Sequence, residues 1–335
     1  MRLTFFSFVL LAVFSTGSAV ITLTSTGCAD VAGFQTCQNG VTDAVSACNN
    51  ASTTQTETLA CGCSNYVGNY NCYAAYCWNR VNECEYQEYV VEYLVGCPIA
   101  KLPVPYFPTP DNAPDSCSCN VGNVYLAINN NIIEGGTCST NESNSSPLNA
   151  VQAIQGCECC EVSGAISSIY AICPTTDPTL IGLSSVQQVE TTLDTPLDQC
   201  QPYLSQYNCV SDLGFSPIVG NTFYGPSNLP ASGTSTLYNV AGTVTAPASG
   251  NHFTYTNGGD GQVYTISAAS MKEGSGGGGA TTTGNGATAG NGGGTKATGA
   301  AASPTTSAKS NGDKRLGFRA HVLVTGLVMS LVCAF

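Results

Sequence analysis

The chain has 335 residues, among them 19 cysteines and 37 glycines, and its 21 acidic residues outnumber 9 basic ones, giving a formal charge of −12. This composition argues against a nucleic-acid partner, because neutralising a phosphate backbone requires clustered lysine and arginine. It also argues against a cytosolic enzyme, since a reducing compartment does not keep so many cysteines as structural pairs.

The amino-terminal end has the three parts of a secretory signal peptide. Arg2 supplies a positive charge, residues 3–14 form an apolar run, and small residues follow up to Ala19. The run is too short to cross a bilayer, and the small residues suit a cleavage site. We therefore predict a signal peptide over residues 1–19, cleaved after Ala19.

The carboxyl-terminal end has the pattern of a glycosylphosphatidylinositol (GPI) anchor signal. Small and polar residues at 310–312 precede a polar spacer at 313–321 and an apolar tail at 322–335. This order is the signal for GPI attachment, whereas the alternative, a transmembrane helix, needs roughly 20 apolar residues. We predict Ser310 as the lipidated residue, with Asn311 as the alternative, and removal of residues 311–335.

Removal of both ends leaves residues 20–310 with five basic and 20 acidic residues, a formal charge of −15, and 18 cysteines. An even number of cysteines in an exported chain predicts a fully paired disulfide framework, whose connectivity the spacing does not reveal. The cysteines expected to pair are Cys28, Cys37, Cys48, Cys61, Cys63, Cys72, Cys77, Cys84, Cys97, Cys117, Cys119, Cys138, Cys157, Cys159, Cys160, Cys173, Cys200 and Cys209.

These cysteines form two groups of nine on either side of a proline-rich connector. We predict a helical, cysteine-rich ectodomain over 20–212, with halves at 20–100 and 115–212. Each half contains a Cys-x-Cys followed later by a Cys-Pro, which indicates a degenerate internal duplication. The pairs are Cys61-Gly62-Cys63 with Cys97-Pro98, and Cys157-Glu158-Cys159 with Cys173-Pro174.

Helical spacing of apolar residues recurs through this ectodomain. The spacing occurs at Val41, Val45 and Cys48, in an apolar stripe at 86–97, and again at 165–173. Pro174 is expected to end the last of these three helices. Three carboxylates, Glu85, Glu88 and Glu92, lie along one edge of the stripe at 86–97. We interpret them as a solvated acidic helix edge rather than as an acid–base pair or a cation site.

Residues 213–272 are predicted to be β-rich, because Thr, Val, Tyr and Phe alternate there with polar residues. The runs at 252–256 and 262–266 flank a glycine-containing loop at 257–261, which predicts a β-hairpin. No cysteine occurs between Cys209 and Cys333, so the segment must be held by packing or by docking onto the disulfide-linked part.

The sequence also predicts a stalk and three sites of N-glycosylation. Residues 273–310 are rich in Gly, Ala, Thr, Ser and Asn and lack large apolar residues, so we predict a disordered, glycosylated stalk. Three Asn-x-Ser sequons predict N-glycans at Asn50, Asn141 and Asn144.

Catalytic motifs are sparse. His252 is the only histidine between the two processed ends, which excludes a metal site built on a histidine pair. The sequence contains no Gly-x-Ser-x-Gly elbow and no phosphate-binding lysine loop. A secreted hydrolase with a Ser-His-Asp triad would therefore have to use His252.

One cysteine pattern points to a ligand. Thr56-Glu57 lies three residues before Cys61-Gly62-Cys63, and Cys72, Cys77 and Cys97 follow. The pattern, over residues 28–97, resembles the eight-cysteine CFEM domain of fungal extracellular membrane proteins. It departs from the family in three places: Cys28 and Cys37 lie farther apart than the family's pair, Cys84 is additional, and the last interval is long. The resemblance implies a disulfide-stapled helical basket and, by analogy with the haem-ligating Asp of haem-binding members, Glu57 as an iron ligand. Neighbouring aromatic residues would then wall the haem, or otherwise form the core.

The order of signal peptide, cysteine-rich ectodomain, stalk and anchor signal also resembles that of ascomycete GPI-anchored cell-surface glycoproteins. We therefore expect an α+β, disulfide-rich, non-enzymatic glycoprotein without a cofactor, tethered by its lipid to the extracellular face of the plasma membrane or transferred to the cell wall. Its expected partners are the membrane and, beyond it, a wall polysaccharide or a host surface, for wall architecture, adhesion or host contact. The alternatives are a haem or small-ligand binding module and a secreted hydrolase.

Overall fold

A computed structural model describes residues 21–143 and 147–272. The predicted signal peptide, stalk and anchor region, including Ser310 and Asn311, lie outside the described residues, as does Asn144. The described part is helical, with one small antiparallel sheet. Its elements are α1 (Val31–Ala51), α2 (Gln55–Tyr76), α3 (Cys84–Gly96), α4 (Val121–Ser143), α5 (Pro147–Ile172), α6 (Leu183–Leu193), α7 (Gln201–Gln206), β1 (His252–Thr256) and β2 (Val263–Ser267).

Two helical hairpins, α1–α2 and α4–α5, form the framework. The first begins at Asp30, whose carboxylate accepts a hydrogen bond of 2.9 Å from the N–H of Gly33. Thr54 and Glu57 form a reciprocal capping box at the start of α2. Such caps satisfy the N–H groups that the first turn of a helix leaves without a partner, so the sequence itself sets where both helices of this hairpin begin.

All 18 cysteines predicted to pair do so, in nine disulfides. The bonds are Cys28–Cys77, Cys37–Cys72, Cys48–Cys61, Cys63–Cys97, Cys84–Cys117, Cys119–Cys173, Cys138–Cys157, Cys159–Cys200 and Cys160–Cys209. One of them, Cys84–Cys117, joins the two halves, and every other bond lies within a half. The two groups of nine cysteines predicted from the sequence are therefore two covalent units with a single crosslink between them.

The two halves share a disulfide pattern. In each, one bond closes the base of the hairpin, one ties its tip, and one leads from the second helix to a downstream segment. The equivalent pairs are Cys28–Cys77 with Cys119–Cys173, Cys48–Cys61 with Cys138–Cys157, and Cys63–Cys97 with Cys159–Cys200. The interval from Cys63 to Cys77 equals the interval from Cys159 to Cys173, so the second helices of the two hairpins carry these cysteines in the same register.

The shared pattern supports the predicted duplication and corrects one of its details. The two Cys-x-Cys motifs are equivalent, because both tie the hairpin tip and the downstream segment. The two Cys-Pro motifs are not equivalent: Cys173 closes the base of its hairpin, whereas Cys97 ends the downstream segment of its half. The base of the first hairpin is closed instead by Cys77, which no proline follows.

Tyrosines dominate the core of the first half. Tyr70, Tyr73, Tyr86 and Tyr93 are buried between α2 and α3, and the rings of Tyr73 and Tyr86 stack with centroids 5.3 Å apart. The apolar stripe predicted for 86–97 is thus the buried face of α3. Aromatic side chains bury large areas with few rotatable bonds, which suits a small core closed by disulfides.

The proline-rich connector docks on α3 through Gln87, which is buried. The Gln87 amide nitrogen donates to the carbonyls of Val81 and Tyr106, and its amide oxygen accepts from the N–H of Thr109 (3.0 Å). The Tyr86 hydroxyl donates to the Pro105 carbonyl at 2.6 Å. These bonds satisfy backbone groups that an irregular segment would otherwise leave unpaired.

The segment after Cys209 returns over both halves. Ser163 and Ser167 on α5 hold Tyr224 by its carbonyl and its N–H, and Asn239 bridges to Cys117. The chain then reaches the first half, where Trp78 donates to the Ala269 carbonyl at 2.8 Å. Non-covalent docking onto the disulfide-linked part therefore holds this segment, as the absence of cysteines predicted.

The predicted hairpin is present, with β1 pairing β2 from His252 opposite Ser267 to Thr256 opposite Val263. The wider prediction of a β-rich segment over 213–272 is correct only for this hairpin. Residues 222–251 contain no strand, only isolated bridges. Tyr224 of this stretch contacts α5, whereas Ser235 and Asn239 pair with the loops at Thr176 and Cys117.

Substitution of two adjacent glycines in α4 would test how closely α4 and α5 pack in the second hairpin. A Cβ on Gly135 would lie 2.0 Å from the Glu161 carboxylate on α5, whereas a Cβ on Gly136 would meet nothing within 4 Å. We expect Gly135→Ala to destabilise the protein by about 1–3 kcal/mol through overpacking. Gly136→Ala, the matched control, is expected to stabilise it by roughly 0.5–1 kcal/mol, because alanine favours helix. Urea unfolding of both variants measures the contrast, and equal stability would contradict the close approach.

Candidate functional site

The two described sequon asparagines are accessible. Asn50 lies in the last turn of α1 and Asn141 near the end of α4, and both are exposed. The tips of the two hairpins therefore present the asparagines predicted to be glycosylated.

The Glu57 carboxylate caps the start of α2. It accepts hydrogen bonds from the N–H and hydroxyl of Thr53 (2.7 and 3.0 Å) and from the N–H of Thr54 (3.1 Å). These bonds, led by the one from the Thr53 N–H, lower the pKa of this exposed carboxyl. Within the described residues, no group of three or more His, Cys, Asp or Glu side chains could hold a metal ion. The haem hypothesis thus rests on the cysteine pattern alone.

The aromatic residues near the Cys-x-Cys belong to the core. Tyr70 and Tyr73 are fully buried, and Trp78 is tied to the returning segment. Burial raises the pKa of Tyr73 well above its ordinary value. Tyr70 and Tyr73 belong to the apolar core that also contains Phe34 of α1 and Tyr86 of α3.

His252 lies exposed on β1, where its Nδ1 is 3.0 Å from the Ser267 hydroxyl of the opposite strand. His252 and Ser267 lie directly opposite each other, as the last pair at the open end of the hairpin. Among the described contacts, no carboxylate reaches the imidazole, so the pair lacks the third group that orients a catalytic histidine. The hydrolase alternative would have to be built on this exposed pair of His252 and Ser267.

The acidic edge of α3 differs from its prediction as a solvated face. Glu85, Glu88 and Glu92 are partly buried. Glu85 accepts hydrogen bonds from the N–H and the hydroxyl of Thr24, and Glu92 accepts from the N–H of Ile21. The edge therefore holds the segment that precedes α1, a long-range contact that helical spacing does not reveal.

A polar cavity of about 270 Å³ lies in the second half, where the end of α6, the 3₁₀ turn at Leu197–Gln199 and α7 approach α5. No residue lining it was singled out from the sequence as a ligand-binding residue, because its walls come from segments far apart in the chain. The lining residues are Gln155, Cys159, Asp194, Thr195, Gln199, Pro202 and Tyr203.

Covalent and hydrogen bonds fix the walls of this cavity. The Cys159–Cys200 disulfide joins α5 to the start of α7. The Thr195 hydroxyl donates to Glu158 at 3.0 Å, and burial raises the pKa of that carboxyl. The Leu197 N–H donates to Glu190 at 2.8 Å. These contacts fix the shape of the cavity before any ligand arrives.

Several polar groups at the cavity keep unused hydrogen-bonding capacity. The Tyr203 hydroxyl donates to the Gln155 amide oxygen, which leaves the Gln155 amide nitrogen as a donor. Asp194 and Gln199 are exposed, and within the described part neither side chain makes a hydrogen bond. Asp194 ends α6 in a left-handed conformation (φ 52°), where glycine or asparagine is usual. An aspartate at this position presents a carboxylate at the edge of the cavity.

No family model matches the chain, and no curated protein or solved structure is significantly similar to it. The function must therefore be inferred from the chain's own residues.

Within the described residues, no helix is both long and apolar enough to cross a bilayer.

Proposed function

We propose that this protein is a non-enzymatic glycoprotein of the extracellular surface, held to the plasma membrane by a GPI lipid and acting in wall architecture, adhesion or host contact. The observation that carries the proposal is the pairing of all 18 cysteines of residues 20–310 in nine disulfides. Such a framework forms and persists in the oxidising compartments of the export route.

Two further observations support a surface role. Asn50 and Asn141 are exposed, as N-glycan attachment requires. The terminal patterns around Ala19 and Ser310 supply the expected export and lipidation signals.

Enzymatic release from intact cells tests the anchor. Phosphatidylinositol-specific phospholipase C is expected to release the full-length gene product from the cell surface, and glucanase to release any fraction transferred to the wall. A chain that ends at residue 321 lacks the apolar tail and is expected to be secreted into the medium. Retention on cells after both enzyme treatments, or cell-bound material from the shortened chain, would contradict the proposal.

A further inference from the structure

We propose that the polar cavity between α5 and α7 binds one saccharide unit, a neutral ligand rich in hydroxyl groups. The site itself follows from the geometry of the second half, and its assignment to a surface glycan rests on the proposed function. Both wall polysaccharides and the glycans of neighbouring glycoproteins present this chemistry.

The hydrogen-bonding groups at the cavity match hydroxyl groups. Asp194 only accepts hydrogen bonds, the Gln199 amide both donates and accepts, and the Gln155 amide nitrogen only donates. A ligand that satisfies all three must itself donate and accept from neighbouring atoms. Adjacent hydroxyls of a sugar ring do both, because each carries one donor hydrogen and two acceptor lone pairs.

Tyr203 and Pro202 supply apolar surface beside these polar groups. A sugar ring has a face of C–H groups as well as an edge of hydroxyls, so it requires a lining with both kinds of surface. Small-molecule sites typically combine apolar and aromatic walls with a few placed polar groups. The Tyr203 ring is held in place through its hydroxyl, which donates to Gln155.

Charge argues for a neutral ligand. Asp194 is the only charged residue in the lining, so an anion would meet a carboxylate and no cation. The described residues as a whole carry 19 acidic side chains and three basic ones, of which Arg80 and Lys272 form ion pairs with carboxylates. A metal ion would find a single carboxylate in the lining, far fewer oxygen ligands than calcium or magnesium requires. A polyol fits this environment without bringing a charge into it.

The size of the cavity suits one ring. Its volume of about 270 Å³ lies just below the range of roughly 300–1,000 Å³ that holds drug-sized ligands. The cavity is also open on one side, where Asp194 and Gln199 are exposed. One unit of a longer chain can therefore occupy it while the neighbouring units extend into solvent.

The cavity belongs to a part of the second half that differs from the first. The interval from Cys173 to Cys200 is longer than the equivalent interval from Cys77 to Cys97. The longer interval contains Asp194, Thr195 and Gln199, which line the cavity. In the first half the shorter interval is filled by α3, whose apolar face packs into the core. The repeat has thus diverged where the cavity forms.

Titration of the purified, full-length glycoprotein with defined oligosaccharides tests the proposal. The probes are hexasaccharides of β-1,3-linked glucose, of β-1,4-linked N-acetylglucosamine and of mannose, and a free high-mannose N-glycan. We expect a Kd of about 0.1–1 mM for at least one probe, as suits a single shallow subsite. The preferred probe tells a wall polysaccharide from a glycoprotein glycan.

Two aspartate variants make the test specific. Asp194→Asn keeps the size of the side chain and suits a left-handed position, so the protein is expected to fold normally and to bind at least about tenfold more weakly. Asp198→Asn, an exposed aspartate of the adjacent 3₁₀ turn that does not line the cavity, is expected to bind as the wild type does.

Two results would overturn the assignment: no binding of any probe up to about 10 mM, or equal binding by Asp194→Asn and the wild type. Release by phospholipase is measured separately on cells that carry the same variants. Failure of saccharide binding with normal release rejects the site alone. Failure of release with intact binding rejects the anchor alone.

Discussion

The double variant Cys119→Ala/Cys173→Ala is expected to lose about 4 kcal/mol of unfolding free energy and to melt about 10 °C lower than the wild type. The bond joins cysteines 54 residues apart, and both are buried in the core of the second half. Its removal releases the base of the α4–α5 hairpin, so the unfolded chain gains entropy. Thermal and urea unfolding of the purified protein measure the loss.

The bond at the tip of the first hairpin provides the control. Cys48→Ala/Cys61→Ala opens a loop of only 13 residues, and Cys48 is exposed. The expected loss is about 3 kcal/mol on loop entropy alone, with little added from packing at Cys48. A larger loss for this tip variant than for Cys119→Ala/Cys173→Ala would contradict the importance of the hairpin base.

The free energy of unfolding of the wild type is expected to fall as the pH rises from about 4.5 to about 8, and Glu161→Gln is expected to abolish this fall. Glu161 is buried on α5 against Gly135, and burial, with a smaller contribution from Glu158, raises its pKa from 4.5 to about 8. The unfolded chain releases this proton from about pH 4.5, whereas the folded protein keeps it until about pH 8. The folded state therefore loses free energy relative to the unfolded state across that window.

Denaturant unfolding at pH 5 and pH 9 measures the effect. The wild type and Glu161→Gln are expected to be similar at pH 5, and the variant to be more stable by about 2–4 kcal/mol at pH 9. Asp43→Asn removes one exposed carboxylate from α1 and controls for the change in net charge. The same pH dependence in the wild type and in Glu161→Gln would show that Glu161 is already ionised in the folded protein.

Local patterns predicted the hairpin and the buried face of α3 well. The alternation predicted at 252–256 and 262–266 needs only the adjacent loop to form its pairs, so short-range sequence determines the hairpin, whose second strand lies one residue later, at Val263–Ser267. The apolar stripe from Tyr86 to Leu94 likewise specifies which side of one helix is buried. In contrast, α4 contains an Asn-rich run and two adjacent glycines, which are weak helix formers. Its helix depends on packing against α5, which its own residues do not indicate.

Contacts between segments that lie far apart in the chain could not be predicted from the sequence. The spacing of cysteines indicated two similar halves, yet only the fold shows that Cys77, rather than Cys97, is the counterpart of Cys173. The partners of Glu85 and Glu92 come from the segment before α1, and the walls of the polar cavity come from α5 and from the chain around α6 and α7. Such juxtapositions depend on how the helices pack.

The returning segment determines how the protein would respond to traction. Lys272, the last described residue, lies beside the start of α1, where its ammonium group is 2.7 Å from Asp30 and its N–H donates to Ala29. A pull on the chain beyond this residue first strains non-covalent contacts and peels off β2 and β1. Peeling stops at Cys209, whose bond to Cys160 transfers the load to covalent sulfur links. The two helical hairpins and the polar cavity would stay folded while the peeled residues lengthen the chain and absorb the force.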